Sequence, residues 1–114
     1  GMSRKNTKRK WKLWASSPYD RSKTSHKVSK VLASDTRISI LEMLVSRRMT
    51  LTEMSKKLDV PKSTVHRNLI VLTSLHLIRK NNEERKWVYY DLTKEGERLI
   101  ISIETLYINL MSEL

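Results

Sequence analysis

Lys62, Ser63, Thr64, His66, Arg67 and Asn68 are hydrogen-bond donors crowded into a segment of about two helical turns. Within and after that segment Val65, Leu69 and Leu72 recur at steps of four and three. The spacing predicts a helix running to about Leu75 with one apolar face; Lys62, Ser63, His66 and Arg67 lie on the opposite, cationic side. Such a face suits a polyanion whose groove admits a helix. Arg67 could grip guanine with two parallel bonds, Asn68 at the edge of the face could read adenine, and Lys62 near the helix start suits a phosphate. Ser63, Thr64 and His66 could bond bases or phosphates, with His66 and Arg67 the strongest candidates. The plainer alternative is an ordinary solvated helix face.

Competing chemistries find little support. His26, His66 and His76 are far apart on different predicted elements, and none sits in a metal-ligand motif. There is no cysteine, which excludes disulfides, thiolate metal sites and thiol redox chemistry. The two glycines, Gly1 and Gly96, do not make a phosphate-binding loop, and no paired-carboxylate or nucleophile-elbow pattern occurs. Neither an enzyme nor a bound cofactor or metal is expected.

The charge is uneven. The 114 residues carry a net +11, yet residues 1 to 30 hold ten of the 23 basic groups and one acid, Asp20. The rest is nearly balanced, with 13 basic groups against 11 acidic. That excess favours an anionic partner, since each neutralised phosphate releases condensed counterions, although a solubilising tail would look the same. Residues 1 to 26 read as a basic arm too polar to close a core. Trp11 and Trp14 flank Leu13 in it, leaving a short docked turn and disorder equally open. No apolar run reaches the roughly 18 to 20 residues needed to cross a bilayer, and the N-terminus lacks the apolar stretch of a signal peptide, so a cytoplasmic protein with no membrane partner is expected.

The elements that must position the donor face follow along residues 27–114. Val28, Val31 and Leu32 start a helical pattern at Lys27, interrupted at Ser34 and Asp35. Asp35 is the expected cap of a core helix carrying Ile38, Leu41, Leu44 and Val45. Thr50 and Glu53 have capping-box spacing at the start of a short helix with Met54 and Leu58 inward. Asp59 sits where a tight turn needs a left-handed backbone, and Pro61 suits the first turn of the next helix. Leu77 to Lys80 and Lys86 to Leu92 have strand character around the polar Asn81 to Glu84 loop. Trp87, Tyr89 and Tyr90 alternate as packing residues do, though they could also stack on single-stranded bases. Arg85 and Lys86, at the strand entry, are placed to touch a phosphate backbone, whereas Glu83 and Glu84 would repel one. Thr93 can cap a last helix carrying Leu99, Ile103, Leu106 and Leu110, an apolar line wide enough to suggest a homodimer seam. The whole reads as a mainly α (α+β) winged helix-turn-helix with a two-stranded wing and a long C-terminal dimerisation helix.

Three stretches carry a family resemblance: VLASDTRISILEML, LTEMSKKLDVPKSTVHRNLIVLTSLHLI and RKWVYYDLT. Over about Lys30 to Arg98 the chain resembles winged-helix repressors of the arsenical-resistance (ArsR) type. The Leu92-Thr93-Lys94-Glu95-Gly96 ending also looks like multiple-antibiotic-resistance (MarR) and PadR-type regulators. The resemblance implies a homodimeric prokaryotic transcriptional regulator whose two recognition helices enter successive major grooves of double-stranded DNA, with Ser63, His66 and Arg67 where the family reads bases. It also implies dimer contacts from Thr93 onward. The family's cysteine metal-sensing pair is absent, so metal sensing is not inherited. Family glycines are replaced by Asp59, His76 and the Asn81 to Glu84 loop. The basic arm is outside the family pattern.

The expected function is therefore sequence-specific duplex DNA binding as a dimeric regulator. An architectural or RNA-binding winged-helix protein, or a protein adaptor, would use the same face. If a dimer neutralises about six to ten phosphates, its affinity for duplex DNA should fall about a thousandfold or more between roughly 50 and 200 mM salt. A flat titration across that range would exclude the reading.

Overall fold

The computed structural model describes residues 21–82 and 86–113. Trp11, Leu13, Trp14 and the rest of the arm to residue 20, the loop residues Glu83 and Glu84, the candidate contact Arg85, and Leu114 lie outside the described residues. The chain divides into two units, Gly1–Lys30 and Val31–Leu114. Helix α1 (Arg21–Leu32) belongs to the first unit through Lys30. It begins earlier than Lys27, because nothing between Pro18 and Pro61 is a proline or glycine that would break a helix.

In the second unit, Ser34 caps helix α2 (Asp35–Ser46), its hydroxyl accepting the Arg37 amide at 3.3 Å. This corrects the expectation that Asp35 is the cap. With Ser34 in that role, Asp35 falls in the first turn, where its charge faces the positive end of the helix dipole. Ile38, Ile40, Leu41 and Leu44 form the buried face of α2. Thr50 caps helix α3 (Leu51–Leu58) by accepting the Glu53 amide at 3.2 Å, and the Glu53 carboxylate pairs with Arg47 at 2.7 Å.

The turn after α3 is left-handed at Asp59, with φ 54° and ψ 48°. Ser55 holds it closed: its hydroxyl donates to the Val60 carbonyl at 2.6 Å, and its own carbonyl accepts the Val60 amide. Helix α4 (Lys62–Ser74) follows, with Pro61 in the cap position rather than inside the first turn. The Pro61 carbonyl accepts the Thr64 and Val65 amides, so a residue with no N–H of its own opens the helix without losing a bond. Val65, Leu69 and Leu72 are buried against α2 and α3.

Strands β1 (Ile78–Asn81) and β2 (Tyr89–Leu92) pair antiparallel, from Ile78 opposite Leu92 to Asn81 opposite Tyr89. Strand β2 starts three residues later than expected, leaving Lys86, Trp87 and Val88 ahead of the paired region. Tyr90 exchanges both backbone hydrogen bonds with Met49, which ties the hairpin to the α2–α3 connection. Thr93 caps helix α5 (Lys94–Ser112), accepting the Gly96 amide at 3.0 Å. The fold is the winged helix-turn-helix expected, mostly helical with one two-stranded hairpin and a long last helix.

One small region joins α4, the hairpin and α5. His76 takes a left-handed backbone, φ 59°, directly after α4, and Leu77 returns its amide to Leu72. The Leu77 carbonyl accepts the Thr93 amide at 3.1 Å and the Thr93 hydroxyl at 3.2 Å, and that hydroxyl also lies 2.8 Å from the His76 carbonyl. A β-carbon added at Gly96 would fall 2.0 Å from the Leu77 oxygen, so only glycine lets α5 start this close to the strand. Alanine normally stabilises a helix relative to glycine by about 1 kcal/mol. Here the sign should reverse, with Gly96→Ala destabilising the protein by about 1 to 3 kcal/mol in urea unfolding.

Candidate nucleic-acid interface

Because Val65, Leu69 and Leu72 are buried, the period of α4 turns Lys62, Ser63, His66 and Arg67 outward, and all four are exposed. Thr64 is half-buried at the edge. Arg67 Nη2 donates to Thr64 Oγ1 at 3.5 Å, a long hydrogen bond that engages one of the five N–H groups of the guanidinium. The face thus presents a guanidinium with a lysine and a hydroxyl nearer the helix start.

Asn68 departs from expectation. It is 8% exposed and turned into the protein: its Oδ1 accepts from Arg37 Nε of α2 at 2.9 Å, and its Nδ2 donates to the Thr64 carbonyl at 2.9 Å. Arginine can only donate, which settles which end of the amide faces it. A buried amide bonded at both ends is not free to read a base. Its role is to brace α4 against α2, a role that depends on a partner 31 residues away and that helical spacing alone does not reveal.

The hairpin adds a second cationic strip. Lys80 and Lys86 are exposed, Arg79 pairs with Asp91 at 3.4 Å, and Arg48 stacks over the Tyr89 ring at 4.3 Å from its centre. Tyr90 packs into the core, where burial pushes its phenol up from the ordinary value. Trp87 does not pack as expected; it is 53% exposed, since it precedes the paired part of β2. Ile70 is likewise an exposed apolar residue, 56% exposed on the outward side of α4.

The candidate dimer residues split along α5. Ile103 is buried in the core and Leu99 packs against it half-buried, so Ile103 is a core residue rather than an open seam position. Leu106 and Leu110 are 52% and 56% exposed, and Tyr107 and Met111 beside them are also exposed. Glu42 of α2 is pushed up from its ordinary range by burial and then by the neighbouring Glu104 of α5. Among the described residues, no group of His, Asp and Glu side chains is arranged to hold a metal ion, and no helix is long and apolar enough to cross a membrane.

Residues 25–113 match the family model described as the HVO_A0261 N-terminal domain. No curated protein gives a match. Among solved structures, HlyU from Vibrio cholerae N16961 superposes with a TM-score of 0.65 at 25% identity, over 79% of this chain and 99% of that one. The transcriptional repressor BigR from Xylella fastidiosa gives 0.66 at 19% identity, over 79% of this chain and 89% of BigR. A Lactococcus lactis ZitR variant gives 0.65 at 21% identity over 70% of this chain, which spans 56% of the ZitR chain. A ZitR variant in complex with DNA gives 0.61, also at 21% identity, over 70% of this chain and 56% of that one.

Removing the brace and removing a surface donor should separate cleanly. Asn68→Ala strips partners from Arg37 and from the Thr64 carbonyl and should cost about 1 to 3 kcal/mol in thermal or urea unfolding. Arg67→Ala, at an exposed position, should change stability by less than about 0.5 kcal/mol. Equal effects from the two substitutions would contradict this division of roles.

Proposed function

The chain belongs to the HVO_A0261 N-terminal domain family, and from that premise we propose that it is a sequence-specific, double-stranded DNA-binding regulator of transcription that acts as a homodimer. The observation that carries the reading is the outward face of α4. Lys62, Ser63, His66 and Arg67 are exposed together, on a helix whose other side is buried and which Asn68 locks to α2. A major groove admits such a helix, and its base edges match these donors.

In the proposed complex, α4 lies in the major groove. Arg67 takes guanine, His66 and Ser63 take neighbouring base edges, and Lys62 and Thr64 take base or phosphate oxygens near the helix start. Lys86 and Arg85 brace the flanking backbone, and the arm of residues 1 to 26 adds affinity that does not depend on sequence. The ArsR-type resemblance supports this arrangement, as do BigR, a transcriptional repressor, and the ZitR complex with DNA. The role is one of binding rather than catalysis, in a prokaryotic cytoplasm.

The second copy is proposed to dock on the exposed end of α5. Leu106, Tyr107, Leu110 and Met111 continue the helical line of Leu99, Ile100 and Ile103 beyond the part that the core covers. Leu99 and Ile103 then support the seam from below. Two α4 helices related by a two-fold axis would meet half-sites one helical turn of DNA apart.

Arg67→Ala should weaken binding to a duplex selected from random sequence by about tenfold or more while the protein stays folded. Paired Leu106→Glu and Leu110→Glu substitutions should shift sedimentation toward the monomer and lower duplex affinity with it. Unchanged duplex affinity in folded Arg67→Ala would remove the major-groove reading. Exposed Trp87 beside Lys86 favours one rival, a binder of unpaired bases. Tighter binding to single-stranded RNA than to the selected duplex would favour it.

A further inference from the structure

Ile70 stands on the outward face of α4 among charged and polar neighbours. It is 56% exposed, whereas Val65, Leu69 and Leu72 on the inner face are buried. Arg67 and His66 precede it by three and four residues and Ser63 by seven, so all four line one strip over about two turns. Neither the core nor the helix propensity of a β-branched residue calls for isoleucine at this place.

A major groove presents one apolar group, the C5-methyl of thymine, and apolar side chains recognise it by contact. We infer that Ile70 is a specificity-determining residue that packs against a thymine methyl in each half-site. The inference rests on the duplex-DNA reading above. Three residues of helix rise about 4.5 Å and one base pair about 3.4 Å, so this thymine lies about one or two base pairs from the base gripped by Arg67. The strip then reads by two different means: Arg67 and His66 by hydrogen bonds, Ile70 by excluding water from a methyl group. Replacing thymine with uracil removes only that methyl. The loss corresponds to about fourfold in Kd for each half-site.

The test uses the full chain and a random duplex library. Selected duplexes are resynthesised with deoxyuridine in place of each thymine in turn, and their Kd values are measured for wild type, Ile70→Ser and Ile70→Val. The expected result is one thymine position per half-site at which deoxyuridine weakens wild type about fourfold. Ile70→Ser should bind the thymine and uracil forms alike, while Ile70→Val keeps part of the difference. Circular dichroism of the Ser variant should match wild type, as the site is exposed. If deoxyuridine affects wild type and Ile70→Ser equally at every position, or affects neither, the inference is overturned while the DNA-binding reading stands. If wild type enriches no sequence at all, the DNA-binding reading falls and takes the inference with it.

Discussion

The carbonyl of Leu77 is the point on which the geometry of the second unit turns. It receives two hydrogen bonds from Thr93, and it leaves no room for a β-carbon at residue 96. Leu77 is tied back to the last turn of α4, leads directly into β1, and is held by the cap of α5. Three elements with separate tasks therefore share one peptide group. A side chain at residue 96 would force α5 away from this contact, because the neighbours are backbone atoms and cannot rotate away. The donor face of α4 and the apolar end of α5 are fixed relative to each other for this reason.

Further ties hold the middle and the start of α4. Asn68 and Arg37 join α4 to α2, and the closed turn at Asp59, with Ser55 bonded to Val60, sets where α4 begins. The helix is thus held at both ends, and its buried apolar residues set its rotation about its axis. Pre-organisation of this kind matters for recognition, since a face already ordered loses less freedom when it binds.

The elements themselves were legible because local signals agreed with tertiary need. The capping residues Thr50 and Thr93, the left-handed Asp59 and the alternating strands each act over a few residues, where sequence spacing carries the information. Asp35 was expected to cap α2, and the neighbouring serine takes the role instead. What spacing could not show was long-range: Asn68 lies near the edge of the outer face by angle, yet Arg37 draws it inward. The same limit applies to Ile103, whose neighbours come from the core, and to Trp87, whose strand does not extend far enough to pack it. Ile70 carries no signal in the sequence, since an apolar residue on a helix is ordinary, and only its exposure gives it meaning.

Two copies of α4 are proposed to occupy successive major grooves. Dimethyl sulfate footprinting on a selected duplex tests it most directly, because methylation of guanine N7 reports the major groove and that of adenine N3 the minor groove. Two clusters of protected guanine N7 about 10 base pairs apart on one face of the duplex are expected. Protection confined to adenine N3, or unchanged N7 reactivity across a fully bound duplex, would contradict it.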